Sequence, residues 1–222
     1  ISNYVSLATF LFARRLNLKK LEERIIYLNS VDAKSDNYFS EHYGNTYFTL
    51  ENARKIGAIR EKIDNIAENE EEKNALIVSL IYATDKVANT VGHYDAYRKI
   101  LDSVQPLKLL IPRIDLENNS NNEVFHEDAN ALIRKIKCDV LYIAPPYNSR
   151  QYCDAYHLLE NLARWTKPTV FGKAGKMDRS NLKSNYCLKS ATKVFDDLIR
   201  NANCKHILVS YNNTGESKDG RS

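Results

Sequence analysis

The stretch that most constrains this 222-residue chain is Val140-Leu141-Tyr142-Ile143-Ala144-Pro145-Pro146-Tyr147, an apolar run closed by two prolines and an aromatic. Residues 140–143 carry no polar face, the pattern of a central strand in a parallel sheet covered on both sides. Pro145 and Pro146 end that strand, because neither can donate to a ladder and each holds φ near about −65°. The spacing therefore puts Tyr147 on a stiff bend at the carboxyl end of a strand, the edge where open α/β sheets place their ligands. A bend of this kind turns backbone carbonyls outward as fixed acceptors and offers the Tyr147 ring as a flat stacking face. That pairing suits an extruded base carrying an exocyclic amino group. The tripeptide alone leaves open a strand that ends in a turn with Tyr147 packed inside.

Around this corner, helical and strand patterns alternate, which predicts an α/β fold. Helices are expected over 5–16 and 19–28, after a strand ending near residue 4. The apolar spacing of Ala53, Ile56, Ile59, Ile63 and Ile66 predicts a helix over 50–68 with Thr49 as its cap. A more buried helix follows over 72–89, with the acid run 68–72 as a solvated turn between the two. Residues 107–111 read as a short strand closed by Pro112, and 117–123 as an Asn-rich loop. A helix over 127–136 leads to the 140–143 strand. Helices over 154–165 and 190–202 then flank a basic stretch, and 207–211 is the last strand.

Composition narrows the class. Hydrophobic content of 43% and charged content of 27% fit a soluble globular chain and exclude a disordered one. The net charge of +4 is a mild basic bias that permits nucleic-acid binding without requiring it. Between Arg164 and Lys193, eight lysines and arginines face the single acid Asp178. The Gly- and Pro-bearing interior, 168–176, reads as a mobile loop, either solvated or tracking phosphates. Cys138, Cys153, Cys187 and Cys204 show no CxxC spacing, so free thiols in a reducing cytoplasm are expected. The longest apolar run, 75–83, is too short to span a bilayer. No basic region precedes the apolar 4–13, so no signal peptide is expected.

The corner and three further segments resemble one family. Asp139-Val140-Leu141-Tyr142-Ile143-Ala144-Pro145-Pro146-Tyr147 is similar to the Asp/Asn/Ser-Pro-Pro-Tyr/Phe motif of DNA adenine-N6 methyltransferases, in the class that includes the Dam-like enzymes. Val124-Phe125-His126-Glu127-Asp128-Ala129 resembles the segment whose acid contacts the adenine of S-adenosylmethionine. The stretches 47–56 and 58–63 resemble the helical insert of a restriction-modification subgroup. His206-Ile207-Leu208-Val209-Ser210-Tyr211-Asn212-Asn213 is similar to a late strand and its turn.

The resemblance implies a Rossmann-like S-adenosylmethionine-dependent methyltransferase sheet, formed by 1–30 and 101–222. A helical DNA-recognition insert over 31–100 would interrupt it. It also implies site-specific methyl transfer to adenine N6 in double-stranded DNA, beside a cognate restriction endonuclease system. By position, Ala144, Pro145, Pro146 and Tyr147 form the catalytic motif, with the first proline's carbonyl and the aromatic face retained. Asn3, Tyr4, Asp128 and Ala129 would contact the cofactor. His93, Tyr94, Arg98, Lys99 and Arg150 would meet DNA, with Tyr94 or Tyr97 as a wedge into the base stack. A surface turn holding one buried tyrosine is the alternative for 90–99, and a helix-start acid the alternative for Asp128.

The departures are specific. Ala144 stands where the family has Asp, Asn or Ser, and Tyr4 where it carries a ribose-binding acid. The family's Gly-rich cofactor loop would lie ahead of residue 1, and no G-x-G pattern occurs among the seven glycines. The sequence thus reads as an internal portion of such an enzyme, incomplete at both ends, or as a decayed one. Losing one acceptor at the reacting nitrogen costs roughly 10²–10³ in rate, so this form is expected to be impaired. A catalytically inactive DNA-binding relative is the alternative, and an RNA or protein amino-methyltransferase a third.

Overall fold

The computed structural model describes residues 2–12, 16–102, 105–114, 121–146 and 148–211. In chain order the elements are α1 (Ser2–Phe12), α2 (Leu18–Asn29), α3 (Tyr38–Tyr43), α4 (Leu50–Ile66), α5 (Glu70–Lys86), α6 (Ala129–Leu132), β1 (Cys138–Ile143), α7 (Tyr152–Ala155), α8 (His157–Arg164), β2 (Val170–Phe171), β3 (Lys176–Met177), α9 (Ala191–Arg200) and β4 (Cys204–Val209). The chain divides into two compact units, Ile1–Val124 with Tyr156–Asp178, and Phe125–Ala155 with Arg179–Ser222. This differs from the sequence-based division at 30 and 100. Within the first unit α1 lies against α5 and α8, and α2 against α4 and α5.

The first unit is helical. α4 forms as its apolar period predicts: Ala53, Ile56, Ile59 and Ile63 are fully buried, and the Thr49 hydroxyl accepts from the Asn52 N–H at 3.2 Å. The acid run 68–72 is not a solvated turn throughout. Asn69 caps α5 by accepting from the Glu72 N–H at 2.8 Å, and Glu72 is buried with Arg24 Nε 3.3 Å from its carboxylate. Arg60 is also buried. It donates to the carbonyls of Leu162 (2.9 Å) and Ala163 (3.3 Å) and to Asp64 (2.8 Å), satisfying groups that the end of α8 leaves open.

The predicted strand at 107–111 is an extended segment outside any described strand. Its alternation is real, with Leu107 and Leu109 buried and Lys108 and Leu110 exposed. Its ladder partners are side-chain amides. Asn52 donates to the Gln105 carbonyl and accepts from the Leu107 N–H, both at 2.9 Å. Asn29 does the same for Leu109, at 3.0 and 2.8 Å. The expected mobile loop at 168–176 is likewise ordered, as the antiparallel hairpin β2–β3.

The second unit mixes helix and strand around a parallel pair. β1 and β4 run in register from Cys138↔Cys204 to Ile143↔Val209. α6 and α9 cover one face, where Ile133, Ile143 and Leu198 are buried among Leu141, Phe195 and Ile199. α9 suits that place because Ala191, Val194, Phe195, Leu198 and Ile199 share one side of a helix. Among the described residues the other face is open, with Val140 52% and Tyr142 65% exposed. The helix expected over 127–136 is the single turn of α6, and that over 154–165 is split at Tyr156 into α7 and α8.

Replacing Asn52 with alanine strands the buried Leu107 N–H and frees the Gln105 carbonyl. The expected loss is about 2–3 kcal/mol, read from the urea midpoint. A loss below about 0.5 kcal/mol would show that the amide bridge does not hold 105–110.

Candidate active site at the carboxyl end of the parallel strands

The β1–β4 ladder ends where the Ser210 N–H donates to the Ile143 carbonyl at 2.9 Å. One residue later the chain enters Ala144-Pro145-Pro146, and the two prolines supply no further donor. Two cavities flank the bend. The first, about 380 Å³, is lined by Ala129, Ile133, Ile136, Ile143, Ala144 and Leu198. The second, about 480 Å³, is lined by Phe195 and Thr192 of α9 and by Val209 and Tyr211 at the end of β4. Pro145, Pro146 and Tyr186 line both, so these three residues form a common wall.

Tyr186 was not legible as a site residue. It is one of 14 tyrosines and stands in no motif. Its place is set by hydrogen bonds spread over the unit. Gln151 donates to the Ser184 carbonyl at 3.0 Å and accepts from the Ser184 N–H at 2.7 Å, stapling the 3₁₀ turn Asn185–Cys187 to the loop after the bend. The Cys187 thiol donates to the Arg150 carbonyl at 3.3 Å. The Tyr186 hydroxyl donates to Asn130 Oδ1 at 2.7 Å, and Asn130 in turn donates to Asp197 Oδ2 at 2.7 Å and to the Val194 carbonyl at 2.8 Å. The Arg134 guanidinium, 2.5 Å from Asp197, and then the Asn130 amide hold that carboxyl below the usual carboxylate range. Burial pushes the Tyr186 phenol up, so it remains a donor at neutral pH.

In the second unit Ala129 and Ala144 line the first cavity, and Pro145 and Pro146 line both. Tyr147, Asn212 and Asn213 lie outside the described residues. Asp128 caps α6, its Oδ1 accepting from the N–H groups of Asn130 and Ala131, each at 3.0 Å. The cap engages only that oxygen. Arg150 is exposed beyond the bend, and its N–H donates to Asn148 Oδ1 at 2.9 Å.

The remaining predicted residues belong to the first unit. Asn3 and Tyr4 lie in the first turn of α1 and not at a strand end, and the Tyr4 ring packs against the helical core. The strand end expected near residue 4 is therefore a helix. Tyr94 is also corrected: it is fully buried and its hydroxyl donates to Asp85 at 2.8 Å, so it has no ring to insert into DNA. Burial, then the Asp85 charge, pushes its phenol far above the ordinary range. His93 Nδ1 accepts from the Asp95 N–H at 3.4 Å. Arg98 reaches the surface paired with Asp102 at 3.1 Å, and Lys99 is exposed. Among the described residues, no helix is long and apolar enough to cross a membrane.

A family model described as D12 class N6 adenine-specific DNA methyltransferase matches residues 9–214. Modification methylase StsI of Streptococcus sanguinis is 41% identical over 202 residues, which cover 85% of this chain and 31% of that protein. Type II methyltransferase M.FokI of Planomicrobium okeanokoites is 42% identical over 175 residues, 76% of this chain and 27% of its own length. For M.NlaIII of Neisseria lactamica the figures are 40% over 176 residues, 76% and 52%. The chain thus spans between roughly a quarter and a half of these curated relatives. No solved structure gives a significant match. With nearly its whole length inside the family model, the chain belongs to the D12 class of N6 adenine-specific DNA methyltransferases.

Proposed function

We propose that the second unit is part of a Rossmann-like catalytic sheet that methylates adenine N6 at a specific site in double-stranded DNA, with S-adenosylmethionine as donor. The observation that carries this reading is the pair of ligand-sized cavities sharing one wall at the diproline bend. A reaction that joins two substrates needs two neighbouring hollows of this kind. The first cavity, next to Ala129 and the cap acid Asp128, suits the cofactor. Asp128 Oδ2, unused by the cap, is an acceptor for an adenine amino group. The second, with the rings of Tyr186, Phe195 and Tyr211, suits an extruded base held by stacking.

Bound S-adenosylmethionine supplies a sulfonium methyl group; the chain's residues prepare the nitrogen that receives it. The lone pair of an adenine amino group is delocalised into the ring, so acceptors must draw on both its hydrogens while it becomes tetrahedral. The Pro145 carbonyl is one acceptor, fixed by the rigid bend. Ala144 lines the first cavity without a side-chain oxygen, so the second acceptor is lacking. That observation also favours the second reading, a DNA-binding relative without transferase activity.

The helical segment 31–100 serves target recognition in this account, with His93, Arg98 and Lys99 meeting DNA, joined by Arg150 after the bend. Work on chromosomal DNA puts the protein in the cytoplasm, beside a cognate restriction endonuclease of the kind that modification methylases accompany.

Two experiments test the assignment. With the Gly-rich cofactor loop expected ahead of residue 1 also supplied, Ala144→Asp restores the acceptor and is expected to raise transfer of labelled methyl groups to plasmid DNA by about 10²–10³; an unchanged rate would remove the bend from the reaction. Asp128→Asn keeps an equally good helix cap, so stability should hold. Calorimetry should then show S-adenosylmethionine affinity falling about tenfold. Unchanged affinity would make Asp128 a cap and nothing more.

A further inference from the structure

The hairpin Val170–Met177 of the first unit is clamped from below by tyrosine hydroxyls. Tyr38 donates to the Pro168 carbonyl at 2.6 Å and Tyr43 to the Gly175 carbonyl at 3.1 Å. Asn161 of α8 donates to both phenol oxygens, at 2.9 and 3.0 Å. Gly175 has no room for a side chain: a β-carbon there would lie 2.9 Å from Tyr43 Cε1, and its φ is +59°. Ordering a surface hairpin this tightly opposes its conformational entropy. What the clamp presents outward is the tip, with Phe171 63% exposed and Lys173 exposed beside it.

The same clamp reaches the 93–99 loop. The Tyr47 hydroxyl shares its proton between the Tyr94 carbonyl at 2.6 Å and the Ala174 carbonyl at 3.3 Å. Lys176 Nζ lies 2.5 Å from Asp95 Oδ1 and makes a second tie. Hairpin and loop are therefore one surface. Its cations fall into two groups. Arg98, Lys167 and Lys176 are matched to Asp102, Glu61 and Asp95. Lys99 and Lys173 have no acidic partner among the described residues.

We infer that the hairpin tip and the 93–99 loop form a composite duplex-DNA contact, with Lys99 and Lys173 on backbone phosphates and Phe171 against sugar or an unstacked base. An unpaired cation two residues from an exposed aromatic on a rigid hairpin, tied to a loop that carries a second one, has the elements of such a contact. Tyr47 is its positioning residue. The inference rests on the DNA-directed reading above and adds the hairpin, with Phe171 and Lys173, to the loop that the reading already contains.

The test is duplex-DNA binding by the whole chain across a salt series. Lys173→Ala and Lys99→Ala should each flatten the log–log salt slope by about 0.9. Phe171→Ala should weaken binding severalfold at unchanged slope. Tyr47→Phe, which keeps its ring in the core, should lower the thermal midpoint and, at a temperature where it is still fully folded, weaken binding at unchanged salt slope. Lys34→Ala, at an exposed lysine paired with Asp32, should bind as the parent does. If the parent binds and Lys173→Ala and Phe171→Ala bind equally well, the composite surface is overturned while the DNA reading stands. Equal loss in Lys34→Ala and Lys173→Ala also overturns it. A parent that binds no DNA overturns both.

Discussion

The amide of Ser210 closing onto the carbonyl of Ile143 is the contact on which the candidate site depends. It holds the ends of β1 and β4 level, so that the chain leaves β1 into two residues with no N–H to offer. The backbone cannot continue the ladder, and both sides of the bend stay open as cavities. A donor-bearing residue at 145 or 146 would be free to pair onward and narrow them. The bend thus acts through what it withholds as well as through the carbonyls it fixes.

Different forces hold the two units. The second has a thin core, Ile133, Ile143 and Leu198, under a two-stranded pair, supplemented by the Tyr186–Asn130–Asp197–Arg134 chain of polar contacts. The first has a broad apolar core crossed by side-chain-to-backbone bonds from Arg60, Asn29, Asn52, Tyr38 and Tyr43. Such bonds are worth most when buried, because the alternative is an unsatisfied group. They also let irregular segments, the 105–110 stretch and the 170–177 hairpin, sit against the core without a sheet.

What could be read from sequence follows the range of the interactions involved. α4 and its Thr49 cap were legible because spacing and capping act within a turn or two. The strand at 140–143 and its diproline stop were legible for the same reason. The alternation at 107–110 was real, yet its ladder came from Asn29 and Asn52, far away in the chain. Tyr94 lies among aromatics, a histidine and bases, a pattern shared by exposed and buried tyrosines; the hydrogen bond to Asp85 and its burial decide the matter. The 168–176 stretch read as loose because glycines mark turns, and the three phenols that order it lie about 130 residues earlier. Tyr186 carried no signal, since its place is set by Gln151, Arg150 and Asn130, none of them beside it in the chain.

Hydrogen exchange on the whole chain, with and without S-adenosylhomocysteine and duplex DNA, tests the central claim most directly. A site built on the diproline bend predicts slowed exchange at the amides of 129–136, 141–144 and 184–186 when both ligands are present. Unchanged exchange in all three segments, with protection elsewhere in the chain, would contradict it.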